Sequence, residues 1–228
     1  MPSTNTGSIV VHHLADSRSQ RILWLLEELE LPYEIKRYER TPEGRAPKEL
    51  FHVHPLGKSP VITDGEVTLA ESGAIVQYII TKYGQDKVKV PEAGYIDDLY
   101  YSHYAEGSFQ EHLVRKRIFN SLAVNAKDEK DKETFQNLIK TLVDPELETH
   151  AKLIEAHLAN SPSEWFAGGP TPTSADYLLG FSLEILVNRA PQYVGPKIQA
   201  YVRNFEARPA YKRGIEKGGE YAYLLSSA

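Results

Sequence analysis

The spacing of apolar residues changes near Gly84, and this constrains the fold of the 228-residue chain more than any other feature. Before that point, short β-branched runs alternate with helical spacings. After it, only helical spacings recur. Ile9–Val10–Val11–His12–His13–Leu14 starts with β-branched residues and reads as a buried strand. Ile22, Leu23, Leu25, Leu26 and Leu29 then recur at helical spacing with Trp24, and Glu27, Glu28 and Glu30 fill the other face. This predicts an amphipathic helix closed by Pro32. Tyr33 to Tyr38 alternates polar and apolar residues, as a strand does. Strand, helix and strand in quick succession predict a right-handed βαβ unit.

A short helix is expected near Lys48–Phe51. Ser59 to Thr63 and Glu66 to Leu69 read as two more strands, with Asp64–Gly65 as the hairpin signal between them. Ile75, Val76, Tyr78, Ile79 and Ile80 mark a helix that stops near Gly84. Polar residues Gln85 to Gly94 read as a linker. Beyond it the pattern predicts one long tyrosine-rich helix from Tyr95 to about Ala126. The charge run Lys127–Lys132 reads as the solvated turn before a helix over Thr134 to His157, which Pro145 should kink or interrupt. A Gly/Pro-rich loop from Asn160 to Pro172 leads to helices near 175–188, 194–205 and 210–217. The expected fold class is α/β followed by all-α, with one domain over 8–84 and a second, all-helical one over 94–217.

Composition excludes several functions. The chain has no cysteine, so catalytic cysteines, disulfides and thiolate metal sites are ruled out. Its 26 basic and 31 acidic residues give a net charge of −5, which does not favour nucleic acid as a partner. No apolar run approaches the roughly 20 residues that span a bilayer. The first ten residues lack a basic cluster followed by an apolar stretch, so no secretory leader is expected and the default location is cytoplasmic. His103, His112, His150 and His157 show no metal-ligand spacing and read as helix-surface or core residues; no metal is expected. No HExxH, GxGxxG or P-loop pattern occurs.

Three motifs then point one way. His54–Pro55–Leu56–Gly57–Lys58–Ser59–Pro60 resembles the N-P-x-G-x-[VS]-P segment of the glutathione transferases. Ala70–Glu71–Ser72–Gly73–Ala74–Ile75 resembles their [QE]-S-x-A-I segment, and Thr173–Ser174–Ala175–Asp176 their S/T-x-x-D capping box. The three stand in order at the family's spacing, and the resemblance covers residues of about 8 to 217. Asp-x-Ser-Arg, Arg-x-Leu-Trp-Leu-Leu and His-Pro-Leu-Gly look most like the fungal Gtt-type members.

The resemblance implies a thioredoxin-like first domain that binds glutathione as co-substrate, with no permanently bound cofactor. It also implies a hydrophobic electrophile or hydroperoxide as second substrate, and a homodimer. Glu71 and Ser72 stand before an apolar-periodic helix, whose free N–H groups and dipole suit an anion. Ser72 would donate to the γ-glutamyl carboxylate and Glu71 would face the ammonium group; the alternative is that both merely cap the helix. Ser59–Pro60 would be cis and would present the Ser59 backbone to the cysteinyl backbone. Lys58 would meet the glycyl carboxylate, or is simply solvated. His54 stands where many relatives have asparagine, and otherwise ends the second helix.

The sulfur needs a group that favours thiolate. Lowering a thiol pKa from near 8.5 by about 2 takes roughly 2.7 kcal/mol, within reach of one charge-assisted hydrogen bond and a helix N-terminus. The donor should lie between strand one and helix one, where Ser17, Arg18 and Ser19 are the candidates. Ser17 occupies the serine-type position relative to Arg21, and its alternative role is a helix cap. Arg18 is the second candidate donor. No tyrosine precedes Tyr33, which argues against the tyrosine-type mechanism. Tyr95, Tyr100, Tyr101, Tyr104 and Phe109 are either core or wall of the electrophile pocket. Thr173 and Asp176 are expected to stabilise the fold rather than act in catalysis.

Overall fold

The computed structural model describes residues 8–225. Strands β1 (Ile9–Leu14), β2 (Tyr33–Tyr38), β3 (Val61–Asp64) and β4 (Val67–Ala70) form one mixed sheet in the order β2-β1-β3-β4. β1 and β2 are parallel, because helix α1 (Gln20–Glu28) carries the chain back between them. β3 runs antiparallel to β1 and folds onto β4 through Asp64–Gly65, where Gly65 takes φ 59°. That left-handed conformation suits glycine in a tight hairpin. Helix α2 (Ser72–Ile79) follows and ends in a π-helical turn over Ile80–Gly84. This is the thioredoxin-like βαβ–α–ββα order, with the short 3-10 helix Lys48–His52 in the place of the second helix. The β3 strand starts two residues later than the sequence suggests. Pro60 has no N–H to give to the ladder.

After the 3-10 turn Glu92–Gly94 the regular elements among the described residues are helices: α3 (Tyr95–Tyr104), α4 (Gln110–Val124), α5 (Glu129–Leu138), α6 (Asp144–Asn160), α7 (Ser174–Arg189), α8 (Pro196–Ala207) and α9 (Pro209–Gly218). The single long helix expected from Tyr95 is interrupted by a π turn over Ala105–Phe109. The charge run is not all turn. The Asp128 side chain accepts the Asp131 N–H at 2.8 Å, and the first-turn acids Glu129 and Asp131 suit a helix start, so α5 begins inside the run. Pro145 does interrupt the next helix. It sits in the first turn of α6, where its missing N–H costs nothing, after a π turn over Ile139–Val143. Among the described residues, no helix is long and apolar enough to cross a membrane.

The core runs continuously from the sheet into the helices, and α1 is its axis. Trp24 stacks on Phe205 with ring centroids 5.1 Å apart and meets Tyr177 edge-on at 4.8 Å. The polar face divides: Glu30 is exposed, as the amphipathic pattern predicts, whereas Glu28 is half-buried and Glu27 buried. Glu27 is buried and accepts from the Tyr33 hydroxyl at 2.7 Å, from Arg213 Nε at 2.8 Å and from Lys217. Glu28 accepts from Trp24 Nε1 at 2.9 Å and from Arg208 Nη2 at 2.8 Å. Cations at the start of α9 and along it therefore neutralise acids that periodicity alone assigns to the surface.

Candidate active site

The strand register places three loops at one end of the sheet. His12 on β1 lies opposite Val61, and Val61 lies opposite Ala70. The chain leaving β1, the Ser59–Pro60 bond entering β3 and the Glu71–Ser72 pair leaving β4 therefore converge.

Ser72 opens α2, and its buried hydroxyl accepts from Arg21 Nη1 at 2.9 Å. The Arg21 side chain, on the first turn of α1, is fully buried. Arg21 also pairs with Glu106 of the π turn after α3 and donates through Nη2 to Ser182 of α7 at 2.9 Å. The Ser182 hydroxyl donates in turn to Gln110. Burial presses the Arg21 pKa down, while Glu106 opposes the shift and keeps the charge. Because Ser72 Oγ already accepts from a cation, its own proton is directed elsewhere and can be given to an anion at the start of α2. Glu71 is exposed beside it with φ 69° and ψ 114°. A non-glycine residue held at such an angle costs of order 1–3 kcal/mol and marks a place where the surroundings impose the backbone path.

The Ser59–Pro60 peptide is cis, as the resemblance implies. The Ser59 hydroxyl donates to the His12 carbonyl at 2.8 Å and accepts the Leu14 N–H at 3.2 Å, which pins this loop to β1. Lys58 is exposed. His54 forms the turn leading to it: His54 Nδ1 accepts the Leu56 N–H at 3.3 Å, and the His54 carbonyl accepts the Gly57 N–H at 2.9 Å. Gly57 sits at φ 56° with the Phe51 ring against it, so a side chain there would meet both strain and a clash.

Ser17 is buried in the β1–α1 loop. Its hydroxyl does not cap α1; it accepts the Ser19 N–H at 3.2 Å and lies 2.8 Å from Ser19 Oγ. Ser19 Oγ lies 2.7 Å from His13 Nδ1. Burial and the nearby Arg37 charge lower the His13 pKa to about 4, so the ring is neutral near pH 7. Its other nitrogen faces the Gly218 backbone, which makes Nδ1 the acceptor of the Ser19 proton. The three side chains thus form a hydrogen-bonded chain that ends on a neutral imidazole. Arg18 Nε lies 2.8 Å from Glu106 Oε2, so Arg18 and Arg21 share one carboxylate. Arg40 clamps the loop from outside, donating to the carbonyls of Ala15 at 3.0 Å and Asp16 at 2.8 Å.

Residues 7–81 match the family model described as "Glutathione S-transferase, N-terminal domain". Glutathione S-transferase 3 of Schizosaccharomyces pombe is 35% identical, with 96% of this chain and 91% of that protein covered. The chain belongs to the glutathione S-transferase family. Glutathione S-transferase 1 of Saccharomyces cerevisiae is 31% identical over 92% of this chain and 94% of its own length. A glutathione S-transferase structure from Actinobacillus pleuropneumoniae superposes with a TM-score of 0.73 at 30% identity, covering 92% of each chain. A family member from Pseudomonas fluorescens, solved with two glutathione molecules bound, has a TM-score of 0.71 at 25% identity and covers 93% of this chain and 94% of its own.

Motif reading gave no role to Arg21, Glu106, Ser182 or Arg40, which hold Ser72 and the β1–α1 loop at this end of the sheet. Arg21 did leave one signal. It stands four residues before Leu25 and eight before Leu29, on the apolar stripe of α1, where a charge needs a buried partner. The tyrosines of α3 divide. Tyr101 and Tyr104 are core, as is Phe109 just beyond the helix, whereas Tyr95 and Tyr100 are exposed. Leu99, Tyr100, His103, Tyr104, Gly107 and Ser108 line a shallow cleft of about 380 Å³.

Proposed function

We propose that residues 8–84 bind glutathione at the convergent end of the sheet, and that the helical part, residues 94–217, provides the wall for a second, hydrophobic substrate. The observation that carries this reading is the Ser72 hydroxyl, held by a fully buried arginine and free to donate at the start of α2. Ser72 and the first α2 N–H groups take the γ-glutamyl carboxylate, and Glu71 takes the ammonium group. The backbone of Ser59 meets the cysteinyl unit, with Lys58 near the glycyl carboxylate. His54 shapes the turn that presents them. Catalysis then rests on positioning the thiolate and stabilising its charge. The thiolate attacks an electrophilic carbon and expels its leaving group, such as chloride. With an organic hydroperoxide it attacks the terminal oxygen, the O–O bond breaks and the alcohol leaves. A second glutathione then converts the sulfenic acid to glutathione disulfide and water. Neither route has a covalent enzyme intermediate. Turnover with glutathione and either a chloronitrobenzene or cumene hydroperoxide tests this. Absence of both activities in a folded protein that binds glutathione would leave a glutathione-binding or carrier protein on the same fold. The engagement of the Ser17 hydroxyl with Ser19 is the one observation on the side of that second reading.

Ser72→Ala is expected to weaken glutathione binding by about 1–3 kcal/mol, since it removes a bond to a charged group. Calorimetry on Ser72→Ala and Glu71→Ala checks this, and unchanged affinity in both rejects the assignment.

Ser17 is our first candidate for the thiolate-stabilising residue, a role in which its hydroxyl turns its proton from Ser19 Oγ to the sulfur, with Arg18 as the alternative. Ser17→Ala should alter pH dependence more than affinity. The bound thiol's titration, followed by thiolate ultraviolet absorbance, is expected to move toward the free value. Turnover near pH 7 should fall 10-fold or more, about 1.4 kcal/mol per decade. Coincident titration curves for wild type and variant would pass the role to Arg18.

We also propose a homodimer, the commonest oligomer symmetry. Phe51 and Leu56 support it: two large apolar side chains, more than half exposed, lie close together on the segment before the site. Light scattering at micromolar concentration should give twice the 25.7 kDa chain mass; the single-chain mass would contradict the proposal.

A further inference from the structure

The helical part contains a cluster that neither the family match nor the glutathione site uses. His112 lies in the first turn of α4, and Glu146 and His150 lie one turn apart on α6. Their nearest ligand atoms all fall within 4.8 Å of one another, and the two imidazole centroids are 4.9 Å apart. Sequence spacing could not reveal this, because the histidines are far apart in the chain and meet only through the packing of α4 against α6.

Two further observations distinguish the cluster from two rings packed by chance. His112 is buried, and its Nδ1 has no hydrogen-bond partner among the described residues, while its Nε2 is 3.5 Å from Glu111 Oε1. An orphaned buried ring nitrogen costs about 1–3 kcal/mol unless something satisfies it. The second is at His150, whose Nδ1 is hydrogen-bonded to the Tyr104 hydroxyl; this fixes the ring and leaves Nε2 for another partner. An outer hydrogen bond on one nitrogen is the usual way a ligating histidine is oriented.

We propose that His112, Glu146 and His150 form a binding site for a zinc-like divalent transition metal. Two imidazoles and one carboxylate are a donor set that such ions take, with water completing the shell through the open side where Glu146 is exposed. Ligand nitrogens around zinc at about 2.0–2.1 Å lie closer together than these, so the side chains draw inward on binding. The metal satisfies the His112 nitrogen, and Glu146 offsets its charge. It ties α4 to α6 next to Tyr104, a wall of the cleft below α3.

The test is calorimetric titration of the full, tag-free chain with zinc chloride in a non-chelating buffer, alongside thermal melts. One zinc per chain and a melting temperature that rises with zinc are expected. The absence of cysteine excludes thiolate binding as a cause. The double variant His112→Gln/His150→Gln and the single variant Glu146→Gln should each bind at least 10-fold more weakly. The exposed Glu146 position guards against a variant that fails to fold. No saturable binding to the wild-type chain would overturn the proposal. So would an unchanged affinity in either the double variant or Glu146→Gln. Zinc binding is read without glutathione, so this result and the glutathione reading stand or fall separately.

Discussion

Arg21→Met is expected to weaken glutathione binding at least 10-fold and to lower stability by about 2–4 kcal/mol. Removing one partner of a buried pair costs about 3–5 kcal/mol when the other is left in a dry site. Here Glu106 is one-third exposed and keeps Arg18, so the expected cost falls at the lower end of that range and somewhat below it. Methionine preserves much of the volume packed against Phe181 but donates nothing to Ser72 or Ser182. The Ser72 hydroxyl then loses the donor that turns its proton outward. Arg21→Lys separates the two effects. A single ammonium keeps the charge near Glu106 but cannot reproduce the guanidinium fork, so affinity should stay low while most of the stability returns. Urea unfolding and calorimetry read both quantities. Wild-type affinity in Arg21→Met would mean that Ser72 does not depend on Arg21.

Asp176→Ala should produce the largest loss of stability, about 3–5 kcal/mol, with a fall in melting temperature of about 10 °C or more. Asp176 is fully buried at the start of α7 and forms the predicted capping box with Thr173. One carboxylate oxygen accepts the Thr173 N–H at 2.8 Å; the other accepts the Phe166 N–H at 3.1 Å and the Tyr201 hydroxyl at 2.9 Å. The Thr173 hydroxyl also donates to the carboxylate at 3.2 Å, so alanine leaves four buried donors without this acceptor. Burial pushes the Asp176 carboxyl up to about 6 from 3.8. The native state therefore holds this proton more tightly than the unfolded chain. The stability this group contributes is fully present below pH 4 and is lost as pH rises through 6. Asp176→Asn should remove that part of the pH dependence as well as lowering stability. A pH–stability curve parallel to wild type between pH 4 and 6 would show that Asp176 does not titrate in that window.

Local chemistry was enough to place β1, α1, β2, the hairpin at Asp64–Gly65, the start of α2 and the Thr173–Asp176 cap. Each depends on neighbours within a few positions: β-branched runs, helical spacing, a turn dipeptide, a capping pair. Glu71, Ser72, Ser59 and Pro60 stood out through segments that resemble the glutathione transferases; their local chemistry alone left helix capping and a trans proline open. Their convergence followed from strand register, which alternation specifies once one sheet face is buried. The polar partners were not readable. Arg21 meets Ser72 across 51 positions and Ser182 across 161, and nothing local says which hydroxyl a buried guanidinium will find. Glu27 and Glu28 looked like a solvent face because helical period reports polarity, not what covers it. Only the docking of α9 and its approach decided that Arg208, Arg213 and Lys217 would bury them. The inward hydrogen bonding of Ser17 was equally hidden, because it depends on how His13 and Gly218 pack around one loop. Sequence by itself determined the order of elements and the ends that carry the chemistry. Tertiary structure alone decided the pairing of buried charges and the direction of each hydroxyl, because those energies depend on contacts among helices far apart in the chain.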